Sequence, residues 1–330
     1  MSTANLQQLE AINHTQGPLL IIAGPGSGKT FTLVERIINL IQNHGIEPEA
    51  LFVVTFTEKA AQELTTRISN RLLEIGIDFN INEMYLGTFH SICLRIIEDY
   101  REYTRLKRSF VLMDQFDQQY FLYQNLRDFR EIENVDQILG GERTPMWAKS
   151  ESLLQWLNKV TEEAIDHQRL IESNDTALIA LGECYDLYQR KLDEHNALDF
   201  STIQLEALNL LRNNPVVLES LKGRIQYLMV DEYQDTNTIQ EMILMLLMGE
   251  DQNLCVVGDD DQALYRFRGA TIRNILQFPD TFEGNKCKQI SLVTNYRSHP
   301  DIINFYNRWM GDKVWEVNNQ RYRYNKHIKP

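Results

Sequence analysis

LLIIAGPGSGKT, Leu19 to Thr30, joins an apolar run to a glycine-rich turn that ends in a lysine and a threonine. The run Leu19-Leu20-Ile21-Ile22 has the unbroken apolar character of a strand covered on both faces. Through Ala23, Gly24, Pro25, Gly26, Ser27 and Gly28 the glycines let successive backbone N–H groups point inward. Together with the positive end of a helix starting near Lys29, those groups form a cradle for an anion. The pattern places Lys29 on the β- and γ-phosphates of a nucleoside triphosphate and the Thr30 hydroxyl on Mg²⁺. Ala23 stands where the usual phosphate-loop pattern has its first glycine, one small residue for another.

Outward from this stretch, further short β-rich runs recur with helical stretches between them: Leu51–Phe56, Met84–Phe89, Ile225–Val230, Leu254–Gly258 and Ile290–Val293. Strands alternating with helices predict an α/β fold with a parallel sheet covered on both faces. Between about Ser91 and Asn196 the alternation stops. There YFLYQNLRDFR, SLLQWLNKV and ALIALGECYDLYQRKL repeat apolar residues at helical spacing, which predicts an all-helical insertion over 91–196. Trp147 and Trp156 fall inside it and read as packing residues rather than platforms for bases. After Pro279 a new segment opens with Ile290–Val293 and TNYRSHP.

The chain has 330 residues, 43% of them hydrophobic, enough for two or three cores. It carries a net charge of −13, which argues against a broad basic face for duplex DNA. A narrow track of aromatics, amides and hydroxyls along a single strand is compatible with that charge. The basic residues Arg101, Arg105, Lys107 and Arg108 read as a solvated helix face. Cys93, Cys184, Cys255 and Cys287 lack paired spacing and read as reduced core thiols. No apolar run reaches the ~20 residues of a membrane span, and the first residues lack an export signal. The expectation is a soluble, cytoplasmic monomer.

The strand Ile225–Val230 runs directly into Asp231-Glu232-Tyr233-Gln234-Asp235. A carboxylate at the C-terminal end of a parallel strand beside a phosphate loop is placed to hold Mg²⁺ through water, the expected role of Asp231. Glu232 is then the acceptor for a proton from the attacking water. Leu254–Gly258 leads into Asp259-Asp260-Asp261-Gln262, where Gln262 can bond the γ-phosphate or its water.

Taken in order, AGPGSGKT, TFTEKAA, GTFHS, LMVDEYQDTNTIQ, VVGDDDQALYRFRGA and LVTNYRS closely resemble the motifs of the UvrD/Rep/PcrA-like superfamily 1 DNA helicases, over about residues 5 to 305. The resemblance implies a RecA-like P-loop NTPase sheet with a helical insertion. It implies that Gln8 reads adenine, Tyr296 stacks on it and Arg297 reaches the γ-phosphate from a second lobe. It also implies that Phe56 and Thr57, Thr88 and His90, and Tyr265, Phe267 and Arg268 form three successive contacts to single-stranded DNA. Their chemistry suits this, because aromatics stack on bases while hydroxyls, His and Arg meet phosphates.

Two positions depart from the family pattern. Phe31 follows Thr30 where many relatives have an arginine, and Ser201 and Thr202 replace acids that follow Leu198-Asp199-Phe200 in the family. The later family motifs have no counterpart after Tyr306.

The resulting expectation is a RecA-like lobe over 1–90 and 197–280, a helical insertion over 91–196, and the opening of a truncated second lobe over 281–330. The resemblance implies an ATP- and Mg²⁺-dependent translocase or helicase moving 3′ to 5′ on single-stranded DNA, or on a duplex with a single-stranded tail. In that reading the isolated chain is inactive or weakly active. The alternatives are the helicase subunit of a helicase–nuclease and an ATP- or DNA-binding module without turnover.

Overall fold

The structure is a computed structural model that describes residues 4–262, 272–313, 316–317, 320–321 and 323–330. The chain divides into two compact units, one of residues 1–92, 218–236 and 244–330 and the other of residues 93–217 and 237–243.

The first unit holds a six-stranded sheet in the order β3-β2-β6-β7-β1-β8. Its strands are β1 (Leu19–Ala23), β2 (Leu51–Thr55), β3 (Tyr85–Thr88), β6 (Tyr227–Val230), β7 (Leu254–Gly258) and β8 (Lys288–Leu292). All neighbours pair in parallel. Every residue of β1, β2 and β7 is buried, as a strand covered on both faces requires. The helices α1 (Leu6–Asn13), α2 (Lys29–His44) and α3 (Glu58–Glu74) belong to this unit, as do α13 (Ile272–Gln277) and α14 (Pro300–Gly311). Leu33, Ile37 and Leu40 of α2 recur at helical spacing and share one core with Leu19 and Ile21 of β1 and Leu64 and Ile68 of α3. Each such fully buried side chain contributes about 2 kcal/mol relative to exposure. The two-residue strands β9 (Glu316–Val317) and β10 (Gln320–Arg321), which follow α14, pair antiparallel.

The strand at 288–292 corrects the expected opening of a second lobe at 281. β8 pairs along β1 from Leu19↔Lys288 to Ala23↔Leu292, and its Ile290 and Leu292 lie in the same core as Leu19 and Ile21. The physical reason is that β1 has two hydrogen-bonding edges. β7 satisfies one, and β8 satisfies the other.

The second unit contains α5 (Gln115–Phe129), α6 (Asp136–Leu139), α7 (Met146–Glu162), α8 (His167–Ile171), α9 (Thr176–Glu194) and α10 (Phe200–Asn213). The helices α4 (Phe89–Asp99), α11 (Pro215–Arg224) and α12 (Thr238–Leu247) each run from one unit into the other. The core of the second unit gathers Leu122, Leu126 and Phe129 with Leu153, Leu157, Cys184 and Tyr188. It also contains a two-stranded parallel ladder of β4 (Val111–Met113) and β5 (Ala197–Asp199), so the helical stretch is not wholly helical. Three-residue strands with Val111 and Leu112 exposed are too short to give a period-2 signal.

Candidate nucleotide and nucleic-acid site

The phosphate loop follows β1 and ends where α2 begins at Lys29. Gly26 and Gly28 take positive φ, +67° and +84°, which side chains other than glycine adopt only with strain. Space makes the same demand. A Cβ on Gly28 comes within 2.8 Å of the Gln8 amide nitrogen, and one on Gly26 within 2.7 Å of the Arg297 Cβ. Ser27 is buried and donates its hydroxyl to the Gly24 carbonyl at 2.7 Å, closing the loop on itself.

Lys29 donates to Glu232 across 2.6 Å. Asp231 continues β6, donating its N–H to the Val54 carbonyl at 2.8 Å and accepting the Glu232 N–H at 3.0 Å. Burial, then the adjacent Glu232, push the Asp231 carboxyl up to about 6 against the pull of Lys29. Asp235 is raised to about 6 by the same two causes, and its buried Oδ1 has no hydrogen-bond partner. Glu232 sits in the left-handed region at φ +52°, a strained place for a residue with a Cβ. The Gln234 amide holds it there by donating to Glu232 Oε2 at 2.8 Å.

Beside it, Asp259 directly follows β7 and accepts from Gln262 Nε2 at 2.5 Å. The Asp259 N–H donates to Gln234 Oε1 at 3.0 Å. A hydrogen-bonded path therefore runs from Lys29 through Glu232 and Gln234 to Asp259 and Gln262.

Gln8, Tyr296 and Arg297 meet at the far side of the loop. Gln8 donates to the Ser27 carbonyl at 3.2 Å and forms a reciprocal capping box with Asn5 at the start of α1. Its amide keeps one further N–H and one lone pair, enough for the adenine edge. Asn5 Nδ2 donates to the Tyr296 hydroxyl at 2.8 Å, and Tyr296 donates its N–H to the Gly26 carbonyl at 2.9 Å. Asn295 clamps the same loop, donating to the Pro25 carbonyl at 2.6 Å while its Oδ1 accepts the N–H groups of Arg297 and Ser298. The segment bearing Arg297 is thus held by the first unit itself.

The β2 and β3 ends bring together four of the residues expected on DNA. Phe56 is half-buried and Thr57 exposed, with Thr57 capping α3 through a bond from Ala60 N at 3.1 Å. Thr88 donates to Glu58 at 2.8 Å. Burial lowers His90 to about 4, the attraction of Glu58 opposing it, so its imidazole is neutral near pH 7. Tyr265, Phe267 and Arg268 lie outside the described residues.

Several residues escaped the sequence reading. Asn5 had a usable signal, an Asn three before a Gln at a helix start, whereas Gln234, Asn295 and Lys326 had none. Asp199, in the departing motif, caps α10 in a reciprocal box with Thr202 and accepts from the Tyr188 hydroxyl at 2.5 Å. Thr202 in place of an acid thus serves the helix start. All four cysteines are buried free thiols, and burial pushes Cys93 and Cys184 up to about 12. Trp147 and Trp156 are partly exposed, at 39% and 42%. Among the described residues, no helix is long and apolar enough to cross a membrane.

The chain resembles the "ATP-dependent DNA helicase PcrA" of Staphylococcus epidermidis strain RP62A, with 37% identity over 303 residues, 92% of this chain and 39% of that protein. It also resembles the protein of that name from Staphylococcus aureus strain COL, with 36% identity over the same share of each. The chain therefore spans about two fifths of the length of these relatives. Residues 4–283 match the UvrD/REP helicase N-terminal domain, and the chain belongs to that family.

Proposed function

We propose that this chain is the ATP-binding motor portion of a DNA helicase that couples hydrolysis to 3′-to-5′ movement on single-stranded DNA. The observation that carries this reading is the 2.6 Å ion pair between Lys29 and Glu232 at the mouth of the phosphate loop. It brings the phosphate-binding cation and the proton acceptor to one point.

Glu232 is paired with Lys29 at 2.6 Å. The phosphates of ATP compete for Lys29 as a point charge, and the exchange frees Glu232 to take a proton from the attacking water. Gln234 keeps the released carboxylate in place. Gln262 is in position to sense the terminal phosphate, and Gln8, with Tyr296, to hold the base.

Mg²⁺ fits the donors present. The Thr30 hydroxyl and the Asp231 carboxylate are hard oxygen ligands, and Asp231, raised by burial and Glu232, gains the positive charge it lacks. Bound there, the ion neutralises charge on the phosphate oxygens. Phe56, Thr57, Thr88 and His90 form one end of the strand track, with Tyr265, Phe267 and Arg268 proposed to extend it. A cytoplasmic location is part of the same reading.

The test is ATP turnover with and without single-stranded DNA. Lys29→Ala removes the point charge on the phosphates and abolishes turnover while the chain still folds. Retention of more than a tenth of the rate by a folded variant refutes the reading.

A further inference from the structure

We propose that Lys326 is a positioning residue for the terminal phosphate of ATP, acting through Asp259 on Gln262; the inference rests on the function proposed above. Lys326 lies in none of the motifs that carry the family resemblance. Its side chain is 1% exposed, and its ammonium meets Asp259, Asp260 at 2.5 Å and Asp261 at 3.0 Å. An ammonium has three N–H donors, so each finds one carboxylate.

Asp259 is the shared member. One of its oxygens accepts from Lys326 and the other from Gln262 at 2.5 Å. With Lys326 in place, the Asp259 carboxylate is fixed and Gln262 is held in one rotamer. Without it, three carboxylates face one another with only Arg323, which pairs with Asp261 at 2.6 Å, to balance them. Asp259 then shifts or takes a proton, and Gln262 loses its anchor.

The segment carrying Lys326 also reaches the other side of the nucleotide. Tyr324 donates its N–H to Asp260 at 2.6 Å. Ile328 is tied to Asn307 by two hydrogen bonds, at 2.7 and 3.0 Å, and its side chain lies against Gly24 of the phosphate loop. Lys329 donates to the Val293 carbonyl and accepts from Asn295 N–H, both at 2.7 Å. One strap therefore joins the sensor glutamine, the phosphate loop and the turn that carries Tyr296 and Arg297. A residue that aligns these groups affects turnover more than nucleotide capture.

Lys326→Met alone leaves one more buried carboxylate uncompensated and risks misfolding. The paired substitution Lys326→Met with Asp260→Asn removes one cation and one anion together, so the cluster keeps its net charge. We expect this pair to lower kcat at least tenfold with KM for ATP changed less than threefold and the melting temperature nearly preserved. In a Gln262→Ala background the same pair should cost less than a further twofold, because its route to the phosphate is already gone. A binding readout accompanies turnover: the preference for a fluorescent non-hydrolysable ATP analogue over the matching ADP analogue should fall equally in the pair and in Gln262→Ala. Multiplicative losses, or an unchanged preference in the pair, overturn the inference while leaving the function standing if Lys29→Ala still abolishes turnover. If the unmodified chain binds neither analogue, the proposed function fails and this inference with it.

Discussion

Two clusters of acids close neighbouring strands of the first unit, and the protein supplies them with cations very differently. At the end of β6, Asp231, Glu232 and Asp235 share one lysine, Lys29. At the end of β7, Asp259, Asp260 and Asp261 share Lys326 and Arg323, both nearly buried. In the first cluster, burial and Glu232 lift both aspartates to about 6. In the second, burial also pushes Asp261 up, but bonds from Arg323, Lys326 and Tyr306 outweigh it and leave the carboxyl below its ordinary value. Burial still wins at Asp260, which stays raised. The contrast distinguishes a site short of positive charge, which a metal ion and a phosphate-bound lysine can complete, from a lock whose three carboxylates already share two buried cations.

The largest effect expected from this contrast is at Glu232. Glu232→Gln keeps the shape and the donor shell but cannot accept a proton, so turnover should fall on the order of 10³-fold while nucleotide affinity stays within a few-fold. Stopped-flow binding of a fluorescent ATP analogue beside steady-state turnover checks it. A tenfold loss of affinity instead assigns Glu232 to the metal shell.

The second cluster should respond in stability. Arg323→Ala leaves the buried Asp261 carboxylate short of a partner, and breaking such a pair costs ~3 kcal/mol. Chemical denaturation at pH 7.5 should show that loss with an unchanged denaturant slope. A change under 1 kcal/mol means that the remaining contacts of Lys326 carry the segment by themselves.

Much of this was legible because the physics is local. β1, β2 and β7 announce themselves as apolar runs buried on both faces, and the phosphate loop as glycines required by turn geometry and close contact. Asp231 and Glu232 follow from lying one step beyond a buried strand. The lock was illegible because its partners are distant in sequence: Lys326 reaches carboxylates 66 and 67 residues upstream, and RYRYNKHIKP has neither period nor cap. The place of β8 was hidden for a related reason, since its run says strand but not which edge accepts it.

A smaller effect, of opposite sign to that at Arg323, is expected at Asp231. Because burial and Glu232 raise its carboxyl to about 6, above the ordinary carboxylate value of 3.8, the folded chain retains a proton that the unfolded chain releases. The stability associated with that proton is fully present below about pH 4 and is lost as pH rises through 6. Asp231→Asn removes the titration and should stabilise the nucleotide-free protein by about 1–2 kcal/mol at pH 7.5, with little difference at pH 4. Denaturation curves at both pH values decide it, and a destabilised variant at pH 7.5 means that Asp231 is compensated after all.

The smallest effect tests burial on a base rather than an acid. Burial holds His90 at about 4 although Glu58 pulls it upward, so between pH 5.5 and 7.5 it stays neutral in the folded chain and can offer a DNA phosphate a hydrogen bond but no charge. The unfolded chain does take up the proton below about 6.5. His90 therefore contributes stability that is present above that pH and is lost as pH falls toward 4. Its contribution to DNA affinity should be flat: the ratio of wild-type to His90→Gln affinity for a fluorescent single-stranded oligonucleotide should change less than twofold between pH 5.5 and 7.5. An ordinary histidine gains its charge across that window and tightens binding at the acid end. A fivefold tightening at pH 5.5 that His90→Gln lacks means that the imidazole gains its charge in that window and that burial does not hold it neutral.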